Sequence, residues 1–496
     1  MNNINAEPHA PNHVTQTSSG RTLLSRRGIA ALVAGFATVG LGSASPRVAH
    51  AAGVVSCAPN GEQNLRDAIS RAEAGDTVQL DGTCIYTLTK ADDQDPTQAQ
   101  IQGDSGLIIK KKLTINGNGA TITRLSSAPP FRIFLVAKDV GDLTLDNVIV
   151  VNGNAVSQDV KRGRGGGIAN LGKLTVQGKS VLSHNNADFG GGAICNGDAN
   201  YAPQPVKNAV LHLTDSKISG NSAGLVGGGI ANGGDQNQII LTGCKISGNT
   251  GGTGSGGGGI ASQGTATLTD CIVSRNTASD GGGIISIGTL TLNGSRVTGN
   301  SATGMVSAPS GFGGGIYNLA GMLTVDKFNN NNSLIAFNSA TNDGGGIVNA
   351  PSATAKLLNN SVVSRNYTAS EGGGIANGGT MTLSNNSDVT ANNAAQNGGG
   401  IVNKLGIADI TLDHSDVTDN GTIDNGTNAT ACGGIFNAPP QNPPTNPGNK
   451  VTLMHGSQVH DNFPDRQSDD CPPAHHGAQL SGPRVGLLRW LGEPQQ

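Results

Sequence analysis

Short apolar segments recur along most of this chain, and Gly, Asn, Ser or Asp separates each segment from the next. Each repeat begins with a first phrase of the type Gly-Gly-(Gly/Ala)-Ile-x-(Asn/Ser). A second phrase follows it, of the type Leu-Thr-Leu-x-x-Ser-x-Val-x-x-Asn, as at residues 290–300 and 410–420. Each repeat offers three β-branched or Leu-rich segments without helical periodicity, which predicts three short strands joined by turns. The isoleucines of the first phrase are Ile168, Ile194, Ile230, Ile260, Ile284, Ile316, Ile347, Ile375, Ile401 and Ile435.

One repeat cannot bury its own Ile, Leu and Val side chains, but repeats stacked as coils form a continuous interior. Successive isoleucines of the first phrase are 24 to 36 residues apart, so a strict hexapeptide helix does not fit. The chain also lacks the calcium-binding nonapeptide and the collagen period. We therefore predict an all-β, right-handed parallel β-helix of about 12 coils over residues 113–462, with Ile347, Ile375 and Ile401 in one interior file.

Stacking explains why Asn and Gly recur in each repeat. An amide side chain can donate a hydrogen bond to one neighbouring coil and accept one from the other, and glycine permits tight corners with positive φ. The sequence predicts two files of stacked asparagines, Asn221 with Asn249, Asn276 and Asn300, and Asn318 with Asn349, Asn377 and Asn403.

The two ends of the chain differ from the repeats. Residues 52–112 are predicted to form an N-terminal cap with a short amphipathic helix, because Leu65, Ala68, Ile69 and Ala72 have helical spacing. Residues 463–496 are a Pro-rich tail, whose last apolar stretch could serve as a C-terminal cap.

Residues 1–51 have the pattern of an export signal. The pair Arg26-Arg27 stands before a short apolar stretch and resembles a twin-arginine motif, and residues 49–51 give an A-x-A cleavage pattern with cleavage after Ala51. The apolar stretch is too short for a permanent membrane span, so no transmembrane span is predicted in the mature chain. The twin-arginine and general secretory routes both remain open.

Charge and cysteine content agree with export. The net charge is −3, and removal of residues 1–51 would leave about −6, so no basic face for nucleic acid is expected. The seven cysteines suit an oxidising compartment. Cys57 with Cys84 and Cys432 with Cys471 are candidate disulfides. Cys244 and Cys271 would be stacked in successive coils, either as a disulfide or as free thiols.

The cap and the repeats resemble those of bacterial secreted and surface proteins. Residues 64–69 and 74–78 are similar to the Cys-Ser-Leu-Arg-Glu-Ala type of N-terminal region that precedes a right-handed β-helix. The repeats also resemble the GGAI and FxxN repeats of chlamydial polymorphic outer-membrane proteins: residues 191–194 read GGAI, and residues 337–340 read FNSA. The resemblance implies the β-helical fold and export, whereas the group mixes adhesin-like proteins with enzymes that act on polysaccharides.

Files of outward-facing residues contain the candidate catalytic groups. Asp343 and Glu371 precede the Gly triplets of adjacent coils, so their backbones should be about 5 Å apart. That spacing suits the two carboxylates of a retaining glycosidase or a calcium site. Two solvated turn acids are the alternative, which is favoured because charged residues are common in turns and no third acid is adjacent. If the protein is an enzyme, Asp343, Glu371 and Arg365 are its candidate catalytic residues.

Other residues are candidates for ligand binding. Outward positions of the second phrase change from basic to acidic along the chain, and Arg275 lies beside them, so an acidic polysaccharide could bind the basic half. The further candidates lie before a Gly triplet or in long corner loops, where binding sites are common. They are Asp280, Tyr201, Phe312, Lys161 and Arg162. The pair His475-His476 has no spacing typical of a metal site.

These observations predict an exported bacterial protein, periplasmic, extracellular or on the cell surface, that binds an extracellular polysaccharide or cell-surface component. The alternative is a polysaccharide lyase or glycoside hydrolase, and the third possibility is a structural spacer. No cofactor, resident metal or nucleic-acid partner is predicted, although calcium could bind at the carboxylate pair. The oligomeric state and the ligand are not fixed by the sequence.

Overall fold

The computed structural model describes residues 53–92, 103–156, 163–197, 206–252, 256–304, 310–404, 408–423, 432–438 and 449–463. Their strands form four sheets in which every pairing between named strands is parallel, so the chain is a parallel β-helix, as predicted. A complete coil contributes to sheets 1, 2, 3 and 4 in turn. The sequence predicts three of these strands, and the strand of sheet 3 is additional.

Sheets 1 and 2 each contain thirteen strands in the described residues. The strands of sheet 1 are Thr77–Gln79, Lys112–Asn116, Asp142–Asp146, Lys173–Gln177, Val210–Thr214, Gln238–Thr242, Thr265–Thr269, Thr289–Asn293, Gly321–Asp326, Ala353–Leu357, Thr380–Ser384, Asp409–Asp413 and Lys450–Met454. The strands of sheet 2 are Ile85–Leu88, Thr121–Arg124, Ile149–Val151, Val181–Ser183, Lys217–Ser219, Lys245–Ser247, Ile272–Ser274, Arg296–Thr298, Leu334–Ala336, Val362–Ser364, Asp388–Thr390, Val417–Thr418 and Val459–His460.

Sheet 3 has ten two-residue strands and sheet 4 has twelve strands in the described part of the chain. The strands of sheet 3 are Asn154–Ala155, Asn186–Ala187, Ser222–Ala223, Thr250–Gly251, Thr277–Ala278, Ser301–Ala302, Ser339–Ala340, Tyr367–Thr368, Asn393–Ala394 and Gly421–Thr422. The strands of sheet 4 are Ser105–Ile109, Arg132–Val136, Ile168–Asn170, Ile194–Asn196, Ile230–Asn232, Ile260–Ser262, Ile284–Ser286, Ile316–Asn318, Ile347–Asn349, Ile375–Asn377, Ile401–Asn403 and Ile435–Asn437.

The interior is built from files of identical or similar apolar residues. Ile347 pairs with Ile375, which pairs with Ile401, and all three side chains are fully buried. This confirms the predicted interior file. Alternate residues of sheets 1 and 2 join the same core, because successive side chains of a strand point to opposite faces. Each coil therefore buries its apolar side chains only by contact with the coils above and below it.

The two predicted asparagine files are present. Asn221 Nδ2 donates to Asn249 Oδ1 at 2.9 Å, and the same bond repeats along the file. The backbone N–H of Asn221 also donates to Asn249 Oδ1, at 3.0 Å. In the second file, Asn318, Asn349 and Asn377 each donate to the amide oxygen of the next coil at 2.8 Å. These bonds satisfy polar groups that the corners bury.

Glycine is required at the corner between sheets 3 and 4 for two different reasons. Gly372, the first of its triplet, has a φ of 70°, which side chains with a Cβ adopt at a cost. A Cβ on the second residue, Gly373, would lie 2.4 Å from the carbonyl oxygen of Gly399 in the next coil. Close stacking of the coils thus excludes a side chain at this second position.

The N-terminal cap begins with the helix Gly61–Arg71, which buries Leu65 and Ile69. This confirms the predicted amphipathic helix. The predicted disulfide Cys57–Cys84 is present, with the two Cα atoms 5.6 Å apart, and it ties the segment before the helix to the first coil. Arg66 fixes the helix further, because its guanidinium donates to the backbone oxygen of Gly106.

Cys244 and Cys271 are free thiols in adjacent coils, so the disulfide that the sequence allowed between them is wrong and the alternative of stacked thiols is correct. Each Sγ donates to a carbonyl two residues earlier, at 3.3 Å, as the serines of the same file do. Contact with Cys244 and burial raise the pKa of the Cys271 thiol. Cys432 is disulfide-bonded, whereas its predicted partner Cys471 lies outside the described residues.

Within the described ranges, no helix has both the length and the apolar character needed to span a bilayer. Ala51, the predicted cleavage position, and residues 464–496 of the predicted tail lie outside those ranges.

Candidate functional site

The structure brings the predicted carboxylate pair together. The backbone N–H of Gly344 donates to the carbonyl oxygen of Glu371 at 3.1 Å, so Asp343 and Glu371 lie in adjacent coils at the corner before sheet 4. Lys404, which follows sheet 4, places its Nζ 2.7 Å from Asp343 Oδ2 and 2.9 Å from Glu371 Oε2. The lysine side chain therefore reaches from one edge of sheet 4 to the other and forms an ion pair with each acid.

The environment of Lys404 favours its charged form. Burial acts to lower the pKa of Lys404, but the charges and hydrogen bonds of Asp343 and Glu371 outweigh it, so the pKa is raised overall. Glu371 Oε1 also accepts a hydrogen bond from Asn397 Nδ2 at 2.9 Å. The three charged side chains therefore form a clamp in which one ammonium group bridges two carboxylates of adjacent coils.

Arg365 is not part of this cluster. It lies at the corner between sheets 2 and 3, with a φ of 53°, and its guanidinium carbon is 5.6 Å from the centroid of the Phe337 ring. This is a cation–π arrangement. Arg275 occupies the same corner three coils earlier, about 14 Å away along the stack, so the two arginines do not converge on one point.

Asp280 and Phe312 support a local loop. Asp280 Oδ1 accepts hydrogen bonds from the backbone N–H groups of Gly311 and Phe312, at 2.8 and 2.9 Å. Burial raises the pKa of Asp280, although these two bonds oppose the shift. The Phe312 ring packs on Tyr317, with ring centroids 5.9 Å apart. Tyr201, Lys161 and Arg162, the other predicted ligand-binding residues, lie outside the described residues.

A cleft of about 530 Å³ opens on the outer face of sheet 2, in the central coils. Its floor consists of the outward side chains of Ile272, Leu334 and Val362, which occupy one file of the sheet together with Arg296. Ile272 is 39% exposed, so the floor is accessible to a ligand.

One wall of this cleft is the loop of residues 327–332. Phe328 and Asn331 exchange two backbone hydrogen bonds of 2.9 Å, which close the loop on itself. Asn331 Nδ2 also donates to Asp270 Oδ1 at 2.9 Å, and this bond ties the loop to a coil two steps earlier. The lining asparagines at positions 330, 331 and 332 and the charged Arg296 and Asp270 supply polar groups above an apolar floor.

The sequence contains a signal for this cleft that the prediction of binding residues missed. Seven residues separate the apolar residue Val325 from Ser333, whereas two or three residues occupy that interval in most repeats. The insertion carries Phe328, which is 38% exposed, and four successive asparagines. Lys404 was also missed, because its partners are 33 and 61 residues away and lie across a sheet.

Charge changes sign along sheet 2, as the sequence predicts. Lys217, Lys245, Ile272 and Arg296 are consecutive members of one outward file. The file ends at Asp388 and Asp416. Burial raises the pKa of Asp388, and the charge of neighbouring Asp416 acts in the same direction. The cleft lies where the basic half of this file ends.

An apolar floor with convergent amides and an arginine is suited to a sugar polymer. The amides can bond hydroxyl groups, the arginine can bind a carboxylate or sulfate, and apolar side chains can contact the faces of sugar rings. Comparison with protein-family models, with curated proteins and with solved structures gave no significant match. The functional conclusion therefore depends on this geometry.

Proposed function

We propose that this protein is an exported, non-catalytic binding scaffold that recognises an anionic extracellular polysaccharide through the sheet 2 cleft. The observation that carries the proposal is the combination of Arg296, the amides of residues 330–332 and the exposed apolar floor in one open groove. Specific ligand sites commonly join an apolar surface to a few directed polar groups.

The surrounding surface supports an extended, anionic ligand. Lys217 and Lys245 continue the file of Arg296 toward the N-terminus, with neighbouring strands about 4.8 Å apart and Ile272 between Lys245 and Arg296. A polymer with a regular repeat of carboxylate or sulfate groups can contact several of these positions at once, which raises its avidity.

The contacts of Asp343 and Glu371 favour binding over catalysis. Both acids are paired with Lys404, so either carboxylate would have to exchange this ion pair for contacts with a substrate before it could serve in a retaining hydrolase. Export to the periplasm, cell surface or medium is part of the proposal, and fractionation of producing cells checks it: a chain found only in the cytoplasm would contradict it.

The binding test uses immobilised polysaccharides of three kinds: uronate-containing, sulfated and neutral. We expect retention on one anionic polymer, and retention should fall as salt rises, because exposed charge pairs are screened. Arg296→Ala and Asn331→Ala should each weaken binding by roughly tenfold, as expected for the loss of one polar contact to a charged or hydroxylated ligand.

Arg71→Ala is the matched control. This arginine is 79% exposed on the cap helix, outside the cleft, so its removal changes net charge equally without touching the site. Equal loss of binding in Arg71→Ala and Arg296→Ala would show non-specific charge attraction and would contradict the assignment of the cleft.

Release of products separates the enzyme alternative from the binding scaffold. The same polysaccharides are incubated with the protein, with and without calcium, and reducing ends and unsaturated uronates are measured. We expect no release. Release that Glu371→Gln abolishes would establish a lyase or hydrolase instead, and neither release nor retention on any polymer would indicate a structural spacer.

A further inference from the structure

Two histidines are stacked in consecutive coils near the C-terminal end of the β-helix. His414 follows the sheet 1 strand Asp409–Asp413, and His455 follows the strand Lys450–Met454 that pairs with it. Their ring centroids are 5.1 Å apart and their planes differ by 15°. Both residues have left-handed backbone conformations, with φ of 49° and 48°, so the same type of corner projects both imidazoles in the same direction.

Asp413 lies against both imidazoles. His414 Nδ1 is 2.9 Å and His455 Nδ1 is 2.7 Å from the same oxygen, Oδ1 of Asp413. One ligand atom from each of the three residues can be chosen so that all lie within 4.8 Å of one another. The rings are 58% and 59% exposed, so an ion can reach the cluster from solvent.

Two imidazole nitrogens and one carboxylate oxygen are the donor set of a borderline divalent transition metal. Zn²⁺ binds His nitrogen and Asp oxygen at about 2.0–2.2 Å, which places ligand atoms of a tetrahedral site about 3.4 Å apart. The observed separations of 2.7 and 2.9 Å need only small side-chain rotations to reach that value. Calcium and magnesium, which prefer sets of six or more oxygens, do not match these ligands.

We propose that Asp413, His414 and His455 bind one divalent transition-metal ion of the Zn²⁺ class and that the ion clips the last described coil onto the coil before it. The ligands come from two coils and are separated by up to 42 residues of sequence. The last described strand of sheet 1, Lys450–Met454, has no fully buried residue, so interior packing holds it less firmly than the strands before it. A metal link between the two coils would add stability at this point.

The sequence supports the pairing of these histidines in register. They follow the phrases Ile-Thr-Leu-Asp and Val-Thr-Leu-Met at residues 410–413 and 451–454, which occupy the same position of the repeat. The two phrases are far apart in the sequence, at residues 410–413 and 451–454, so their equivalence becomes clear only when the paired strands are aligned.

The test titrates ZnCl₂ into the chelator-treated full chain and measures binding by calorimetry, with Co²⁺ absorption as a second readout of nitrogen coordination. We expect one ion per chain at this cluster. His414→Asn and His455→Asn should each weaken binding by roughly tenfold or more. Asparagine is chosen because it tolerates left-handed backbone conformations, so the corners are kept.

His184→Asn is the matched control, since His184 is also exposed, has a φ of 54°, and faces Gly220 in the next coil. His475→Ala with His476→Ala controls for binding by the tail. Neither control should change Zn²⁺ affinity at the cluster, and Zn²⁺ should raise the Tm of the wild type and of both controls but not of His414→Asn.

Two results would overturn the proposal. One is the absence of Zn²⁺ and Co²⁺ binding to the wild type. The other is wild-type affinity in both His414→Asn and His455→Asn, with circular dichroism showing that the variants are folded. Asp413→Asn provides a further variant of nearly the same shape, and unchanged Zn²⁺ affinity in it would show that the carboxylate is not a ligand.

Discussion

At the scale of single residues, the asparagine files form hydrogen bonds between successive coils and so help to fix the register of the coils. The file that contains Asn232 and Asn318 is interrupted. Ser262 and Ser286 replace two consecutive asparagines between Asn232 and Asn318. Asn232 Nδ2 still donates to Ser262 Oγ at 3.1 Å. In the described part of the chain, Ser286 Oγ and Asn318 Oδ1 are buried without a hydrogen-bond partner. The shorter serine side chain does not reach the amide of the next coil, so the interruption costs stability.

Ser286→Asn should therefore stabilise the protein. The new amide can donate to Asn318 Oδ1 in the geometry that Asn349 uses toward Asn377, 2.8 Å away. We expect a gain of about 1 kcal/mol in the free energy of unfolding, the usual net value of one hydrogen bond. Urea denaturation followed by circular dichroism measures the shift in midpoint.

Asn349→Ser is the paired control for this repair. It introduces the same interruption into an intact part of the file, and it should lower stability by about 1–2 kcal/mol. If both substitutions changed the midpoint in the same direction, the amide file would not be the source of the effect.

At the scale of strands and corners, most of the coil could be predicted and the cross-sheet contacts could not. The period of two along each strand and the position of each Gly triplet are local properties, so sheets 1, 2 and 4 follow from the sequence. The strands of sheet 3 are only two residues long, too short to show a period, and they were missed. Lys404 contacts Glu371 one coil away and Asp343 two coils away, because coil stacking, and not sequence spacing, brings these residues together.

Lys404→Met tests the clamp across sheet 4. Removal of the lysine leaves Asp343 and Glu371 adjacent, with 11% and 19% of their side chains exposed and no cation between them. We expect a loss of about 2 kcal/mol in the free energy of unfolding, less than the roughly 3–5 kcal/mol for breaking a fully buried pair, because the cluster is partly exposed. Lys404→Arg, which keeps the charge, should lose less.

The pH dependence gives a second readout of the same clamp. The pKa of Lys404 is raised in the folded protein, so its contribution is complete below the unfolded pKa of about 10.4 and is lost as pH rises through the folded value. The difference in urea midpoint between wild type and Lys404→Met should therefore be constant from pH 7 to 9 and shrink above pH 10. A difference that grew with pH would show that the charge of Lys404 is not responsible.

At the scale of the whole molecule, the stack is a one-dimensional array in which each coil packs mainly on its two neighbours, and a few side-chain links, such as Lys404 to Asp343 and Asn331 to Asp270, span two coils. The fold class and the capping helix could be predicted because they depend on repetition and on local helical spacing. The sheet 2 cleft and the paired histidines could not be located in the same way, because both depend on which positions of distant repeats fall into one file. Loop lengths that vary from coil to coil make that alignment ambiguous in the sequence alone.

Because the coils are stabilised mainly by contacts with adjacent coils, we also predict that loss of a link at one end of the stack destabilises only the coils near that end. Cys57 and Cys84 close a loop with a sequence separation of 27 and fasten the cap to the first coil, a link that the chain-entropy model values at about 3.5 kcal/mol. Replacing both by Ser should speed amide hydrogen exchange in residues 53–92 and in the adjoining strands of sheets 1 and 2. Exchange in the central strands Ile347–Asn349 and Ile375–Asn377 should remain at the wild-type rate, since no coil there loses a contact.

The double variant Cys244→Ser with Cys271→Ser is the appropriate comparison for that experiment. These thiols are free, and serine fills the same file in other coils, so exchange should change little along the whole stack. Equal acceleration in the cap and in the central strands of the Cys57–Cys84 variant would mean that the β-helix unfolds as one cooperative unit. In that case the ends would be coupled to the middle, and both the cap and the histidine cluster at the opposite end would control the stability of the cleft between them.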